Sequence, residues 1–259
     1  MNSQFLEYLR YRLFAKHRKG FGIHSPFVFD LITRILNKEE SYAELDKIMA
    51  WHKGLLREST LVKRGNFGAG SKRLKEDLQP VSGIIKNSAI KPKYGRILFQ
   101  LVQEFQPERI LELGTGSGVS TAYLAGPGSG RILSVEGEKS KHDFATRALK
   151  NLGYEHLELV LSEFDDFLQD FQVNSFPFLA FIDGNHRGDA LRHYFRTLLP
   201  FCKDDTILVF DDIHWSKDMY RAWKEIVQSE KATLSIDFFF MGILFFKKGR
   251  SPQHFVVQF

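Results

Sequence analysis

The sequence predicts an α/β protein. Its frame is a doubly wound, mainly parallel sheet of seven strands with an antiparallel C-terminal hairpin and a helical N-terminal extension. Three observations predict it. Short β-branched and aromatic runs alternate with helical periods from residue 109 onward, which is the pattern of a parallel sheet. After the last of these helices, Thr233–Phe240 and Ile243–Lys247 flank Met241-Gly242 and read as an antiparallel hairpin. Before residue 88 the candidates are helical: Gln4–Lys16, Phe27–Leu36 and Ala43–Arg57.

The elements follow in order. Gln4–Lys16 places apolar residues at 5, 6, 9, 13 and 14, a helical period. Ser25-Pro26 opens a second helix, continued by Phe27–Leu36, because proline is tolerated at the first helical position. Ala43–Arg57 is a third. Asn66–Ser71 is a glycine-rich loop between Lys63, Arg64, Lys72 and Arg73; it reads as a lid or a connector. Tyr94–Phe105 is a helix leading to Pro107 and the first strand, Arg109–Leu113. Strands then follow at Arg131–Glu136, Leu157–Leu161, Phe178–Ile182 and Thr206–Phe210. The helices between and after them are Lys139–Leu152, Asp165–Phe171, Asp189–Leu199 and Lys217–Ser229. His254–Phe259 reads as one more edge strand or a tail. On this frame residues 1–87 form a helical cap region and residues 88–259 one α/β domain.

The chain has 259 residues and a 43% apolar composition with 25 phenylalanines, which implies a bulky interior or an apolar pocket. One cysteine, Cys202, excludes an internal disulfide and a cysteine-based zinc site, and favours a reducing, cytoplasmic setting. The charged N-terminus has no apolar core of a signal peptide, and the longest apolar run, Phe238–Phe246, is too short to span a bilayer. Charge is uneven. Residues 1–100 carry 19 Lys/Arg against 9 Asp/Glu, while the remainder is net acidic within a total of +5. A basic N-terminal part could attract RNA, an anionic lipid surface or an acidic substrate, or be a solvated helical face.

The functional signal is Ile110–Ser120, Ile-Leu-Glu-Leu-Gly-Thr-Gly-Ser-Gly-Val-Ser. It reads as a buried strand, a turn with glycines at 114, 116 and 118, and a helix start that includes Ser120. Glycine lets backbone N–H groups approach a ligand closely. Glu136, at the end of the second strand and 22 residues past Gly114, is placed to accept hydrogen bonds from two ribose hydroxyls. A dinucleotide turn would want glycine at 119, where Val119 stands, so the cofactor is expected to lack a pyrophosphate. Glu112 would repel phosphate but suit an ammonium or a sulfonium.

In open α/β sheets the ligand lies beyond the carboxyl ends of the strands, and the polar residues collect there. Ser162 and Phe164 follow the third strand, Asp183 the fourth, and Asp211 and Asp212 the fifth. Asp183, Asp211 and Asp212 make an oxygen-only set of the kind Mg²⁺ prefers. Asp183 equally suits contact with a cofactor, and Asp211-Asp212 equally suit a helix N-cap before Trp215. His186 and His214 each lie three residues after an aspartate. His24, beside Ser25-Pro26, reads as a capping or packing residue, and Arg187 and Arg192 as surface residues or holders of an acidic substrate.

Glu112–Gly118, Glu136, Phe181-Ile182-Asp183-Gly184 and Phe210-Asp211-Asp212 together resemble the class I S-adenosylmethionine-dependent methyltransferases. Within them the likeness is greatest to the catechol-type, metal-dependent O-methyltransferases, over about Ser88 to Lys248. His24–Phe29 and Asn66–Ser71 also resemble segments of methyltransferases of the Bacteroidota. The resemblance implies a Rossmann-like methyltransferase sheet whose extra feature over a dinucleotide domain is the antiparallel hairpin. It implies S-adenosylmethionine bound by Glu112, Gly114, Gly116, Gly118, Ser120, Glu136, Ser162, Phe164 and Asp183. It also implies Mg²⁺ at Asp183, Asp211 and Asp212. In the resembling enzymes a lysine base stands where His186 stands here; His186, with Asp183, is expected in the catalytic role, with a metal ligand, a substrate hydrogen-bond partner and a plain loop histidine as the alternatives for it. The expected acceptor is a small hydroxylated molecule. A nucleic-acid partner is the rival reading, an NAD-dependent oxidoreductase a more distant one, and a homodimer is left open.

Overall fold

The computed structural model describes residues 3–15, 22–23, 25–37, 42–63, 78–128, 130–174, 177–247 and 251–259. In chain order the helices and strands begin with α1 (Ser3–Phe14), α2 (Pro26–Asn37), α3 (Ala43–Leu55), β1 (Leu61–Lys63), β2 (Leu78–Pro80), α4 (Val81–Ser88) and α5 (Pro92–Phe105). The alternating part runs β3 (Arg109–Leu113), α6 (Val119–Ala125), β4 (Arg131–Glu136), α7 (Lys139–Lys150), β5 (Leu157–Leu161), α8 (Phe164–Asp170), β6 (Phe178–Ile182), α9 (Gly188–Leu198), β7 (Thr206–Asp211) and α10 (Lys217–Val227). It closes with β8 (Leu234–Asp237), β9 (Met241–Phe245) and β10 (Gln253–Val256). The main sheet is mixed and mostly parallel, with eight strands rather than the expected seven. The expected lid loop at Asn66–Ser71 and His24 lie outside the described residues.

Two compact units divide the chain: Met1–Glu39 with Gln172–Phe259, and Glu40–Phe171. In the second unit, β3, β4 and β5 are parallel, with Leu113 opposite Val135 and Glu136 opposite Leu161. Four of the five β3 residues are buried, so the strand reads as the near-continuous aliphatic run of a sheet covered on both faces. Proline at the first position opens α5, and Gln106 in the left-handed region ends it. Helix α3, from the N-terminal region, packs within this unit: its buried His52 places Nδ1 3.3 Å from Tyr123 Oη, and Tyr154 Oη donates to Glu44 Oε1 at 2.7 Å.

In the first unit the strand order is β10-β8-β9-β7-β6, with β6 and β7 parallel, β9 antiparallel to both β7 and β8, and β10 parallel to β8. The extra strand is therefore β10. Six phenylalanines, 178, 181, 210, 238, 239 and 245, are fully buried here with Trp223, which is where much of the unusual phenylalanine content goes. Helix α1 belongs to this unit. Tyr11 donates its hydroxyl to the Val257 carbonyl, and the N–H of Phe259 donates to Tyr11 Oη at 3.1 Å.

The hairpin is present, but Met241-Gly242 is not its turn. The reversal uses Phe238–Phe240, with Phe239 at φ 74 and its N–H donating to Asp237 Oδ1 at 2.7 Å. Gly242 lies inside β9, where a Cβ would stand 2.7 Å from the Trp223 ring. Its glycine serves close packing of α10, and the Asp237 carboxylate makes the turn. Among the described residues no helix is long and apolar enough to cross a membrane.

Candidate active site

The glycine turn is built within the second unit. Gly114, Gly116 and Gly118 have φ of 107, 54 and 78, all in the left-handed region. Two of them have separate reasons to be glycine. A Cβ on Gly118 would stand 2.9 Å from Leu149 Cδ1, so this position sets the packing of α7 under the turn. A Cβ on Gly116 would meet nothing within 4 Å, so the open side of the turn is at Gly116.

Glu136 ties this turn to the next one. The Gly116 N–H donates to its Oε2 at 2.9 Å, and the Glu138 N–H donates to its Oε1 at 3.0 Å. A carboxylate has about four acceptor positions, so two remain for hydroxyl donors. Spacing alone missed this second duty: Glu136 holds the turn that it is expected to complete.

Glu112 is fully buried. Thr121 and Ser134 each donate a hydroxyl to its Oε2 at 2.5 Å. Because the Ser134 proton is used on Glu112, Thr115, 2.6 Å from Ser134, must donate to Ser134. Glu112 Oε1 is buried with no hydrogen-bond partner. Burial pushes this carboxyl above the usual range, against the opposing pull of the Ser120, Ser134 and Thr121 hydroxyls. Ser120 thus points its chemistry inward, toward Glu112. The polar residues behind the turn, Thr115, Thr121 and Ser134, were not singled out from the sequence. The signal was available, since three hydroxyl residues around one buried acid are what a buried carboxylate requires.

Ser162 and Phe164 stand after β5. The Ser162 N–H donates to the Glu136 carbonyl at 3.1 Å, which fixes the start of this loop beside the end of β4. Its hydroxyl donates to the Glu163 carbonyl at 3.0 Å. Phe164 is the first residue of α8 and is half-buried.

The remaining residues belong to the first unit. His186 is partly exposed and stands between two carboxylates: Nε2 lies 3.8 Å from Asp183 Oδ1 and Nδ1 lies 3.8 Å from Asp212 Oδ2. Its ring lies 5.7 Å from that of Trp215, which is 54% exposed. Asp212 is held at φ 52, and its carbonyl accepts from the Trp215 N–H at 2.8 Å, closing the turn that brings Trp215 to His186. The helix N-cap is Ser216, whose Oγ accepts from the Met219 N–H at 3.1 Å, so neither Asp211 nor Asp212 is spent on capping α10.

Among the described residues no group of three or more His, Cys, Asp and Glu side chains is arranged to hold a metal ion. As the side chains stand, Asp183, Asp211 and Asp212 do not fit a bound cation, and His186 is the group that Asp183 and Asp212 share. His214 is not a site group. It is buried, with Nε2 3.1 Å from Asp237 Oδ2 and its ring stacked between Tyr220 and Phe239. Arg187 pairs with Asp189, and Arg192 with Glu225 at 2.6 Å, which supports the surface reading of both arginines.

Residues 111–213 match the family described as a methyltransferase domain. The match covers 103 of the 259 residues. Over 83 residues it is 37% identical to a human protein named transmembrane O-methyltransferase, a match that covers 30% of this chain and 28% of that protein. The chain thus spans 28–30% of the length of the curated relatives it matches. Among solved structures, the Podospora anserina methyltransferase PaMTH1, bound to S-adenosylhomocysteine, has a TM-score of 0.59 at 15% identity, over 86% of this chain and 97% of that one. The O-methyltransferase TomG of Streptomyces achromogenes, in complex with S-adenosylmethionine, has a TM-score of 0.55 at 19% identity, over 80% and 91%. The chain therefore shares the fold of these two structures.

Proposed function

We propose that the chain is an S-adenosylmethionine-dependent O-methyltransferase acting on a small hydroxylated molecule. The observation that carries this reading is the turn at Gly114–Gly118, open at Gly116 and fixed through its N–H to Glu136. Glu112 belongs to the same proposal as the partner of the ammonium at the cofactor's methionine end, a role that requires its buried carboxylate to turn toward the ligand. The two unused acceptor positions of Glu136 fit the ribose hydroxyls. Ser162 and Phe164 take the adenine side, Gly118 and Ser120 shape the turn, and Asp183 takes the methionine side.

When bound, S-adenosylmethionine supplies an electrophilic methyl carbon on a sulfonium sulfur, passed in line to an oxygen nucleophile. His186 is the base of this proposal. Its Nε2 takes the acceptor's hydroxyl proton, and the carboxylates of Asp183 and Asp212 stabilise the imidazolium that forms. Trp215 offers an exposed ring face beside it for a planar acceptor. Mg²⁺ held by Asp183, Asp211 and Asp212 is a separate proposal, which would require these side chains to regroup.

Transfer of a labelled methyl group to a panel of phenols, catechols and hydroxy acids tests the activity. His186→Ala should lower turnover about 10²–10⁴-fold while S-adenosylhomocysteine affinity is retained. Loss of transfer in excess chelator, restored by Mg²⁺, would establish the metal and displace His186 as the sole activator. Full activity in chelator removes the metal and leaves the rest standing. The division into a helical region, residues 1–87, and a catalytic domain, residues 88–259, belongs to the same proposal, as does the reducing, cytoplasmic setting inferred from the single Cys202.

A further inference from the structure

Helix α1 is held by one face and shows another. Its inward face is aromatic: Tyr8 and Tyr11 lie 5.1 and 5.2 Å from the ring of Phe239, and Tyr11 is anchored to the chain's last residues. The Arg12 carbonyl accepts from Gln258 Nε2 at 3.2 Å, which fixes the helix end as well. The outward face is apolar where a solvated helix would be polar. Leu9 is 41% exposed, Leu13 77% and Phe14 70%. At about 100° per residue, Leu9 and Leu13 lie within roughly 40° of each other, with Arg10 on one side of them and Arg12 on the other. Both arginines are exposed.

The charge along this stretch of the sequence has one sign. Residues 10–19 read Arg-Tyr-Arg-Leu-Phe-Ala-Lys-His-Arg-Lys, five cations and no acid. Glu7 is the single acidic residue before Asp30. It sits 4.0 Å from His214 Nδ1, toward the inward side.

We propose that α1 docks this protein on an anionic membrane surface. Exposed leucines between flanking arginines, with Phe14 beyond Arg10, suit the boundary between headgroups and acyl chains, where the apolar side chains leave water and the guanidinium groups reach lipid phosphate. An RNA would be met by the cations but gains nothing from Leu9 and Leu13. A partner helix would want a wider apolar stripe without an arginine on each side of it. The inward tyrosines keep the helix on its own unit, so docking uses side chains that the fold does not need. The proposal is independent of the methyl-transfer reading.

The test is co-sedimentation of the whole chain with vesicles of phosphatidylcholine alone, and of phosphatidylcholine with about a third phosphatidylserine, at near-physiological salt. Binding is expected to the anionic vesicles and to be at least tenfold weaker to the neutral ones. Leu9→Ser with Leu13→Ser should weaken it about a hundredfold, roughly tenfold for each leucine no longer buried. Arg10→Gln with Arg12→Gln should weaken it roughly 25-fold, about fivefold for each charge removed. Circular dichroism melts show whether each variant folds. Leu13→Ser alone, at the most exposed position, serves if the double variant does not, with about tenfold weakening expected. The proposal is overturned if anionic vesicles leave the parent chain in the supernatant, or if the leucine variants bind as the parent does. It is equally overturned if those variants abolish a self-association seen by sedimentation velocity, or filter retention of a short RNA, while vesicle binding is absent.

Discussion

Replacing Glu136 with alanine separates the two duties of this side chain. In the folded protein its carboxylate accepts two backbone N–H bonds, from Gly116 at 2.9 Å and from Glu138 at 3.0 Å. Hydrogen bonds to a charged acceptor contribute about 1.5–3 kcal/mol each, and water will satisfy part of what is lost because the turn is open at Gly116. A net loss of about 2–4 kcal/mol of stability is expected, or roughly 4–16 °C in Tm for a chain of this size. If the two remaining acceptor positions hold ribose hydroxyls, binding also loses about 1–3 kcal/mol, a 5- to 150-fold rise in Kd for S-adenosylhomocysteine. Calorimetric titration at a temperature well below the variant's Tm reads the second effect apart from the first. Glu136→Gln sharpens the comparison, because an amide can accept only one of the two N–H bonds and sets an N–H donor against the other. A variant that melts lower but binds with unchanged affinity would show that Glu136 only builds the turn. Unchanged melting and unchanged affinity together would refute the geometry itself.

The glycines of the turn should divide by duty. Gly118→Ala, with a Cβ 2.9 Å from Leu149 and a φ of 78, should lower Tm by several degrees, whereas Gly116→Ala carries about 1–2 kcal/mol of backbone strain without a clash and should weaken S-adenosylhomocysteine binding disproportionately. Equal effects of the two variants on Kd and Tm would contradict that division. Burial holds the His52 imidazole below its usual pKa, so the unfolded chain takes up the proton first; the stability this group contributes is full above about pH 6.5 and is lost as pH falls below it, by at most about 1.4 kcal/mol per pH unit. A pH series of melts should show that acid limb, shallower in His52→Gln, and an identical limb in the variant would assign it to other groups. The Cys202 thiol, pushed up to about 12 by burial, should alkylate about a thousandfold slower in the native protein at pH 8 than in denaturant, as read by mass spectrometry; rapid native labelling would show that this part of the chain opens.

The alternation of strands and helices was legible because buried parallel strands leave uninterrupted aliphatic runs such as Phe178–Ile182, and those runs are local. What was not legible depends on contacts distant in sequence. Gly242 looked like a turn residue because glycine usually marks one. Its actual cause is the ring of Trp223, on another element, while the neighbouring Asp237 carboxylate makes the turn. The tail at Gln253–Val256 became a strand because β8 offers it a free parallel edge, which four residues cannot announce alone. The N-terminal region reads as one cap from its helical periodicity. Yet α1 packs with the chain's C-terminal residues in one compact unit, and α3 packs in the other.

The same division runs through the candidate site. Residues that act through the backbone were readable, since only glycine suits the φ values at 114, 116 and 118, and the acid at 136 stands at a spacing set by one strand–helix–strand unit. Residues that act through side-chain pairing were readable as types but not as pairs. His186 could be singled out, but its place 3.8 Å from each of two carboxylates depends on the positive φ of Asp212 and on Ser216 taking the cap of α10. With capping assigned to Ser216, neither aspartate at 211 or 212 is the N-cap of that helix. His186 lies 3.8 Å from Asp212 and 3.8 Å from Asp183, two carboxylates able to stabilise its charged form. This is why the base of the proposed reaction is sought at His186 before any cation is invoked.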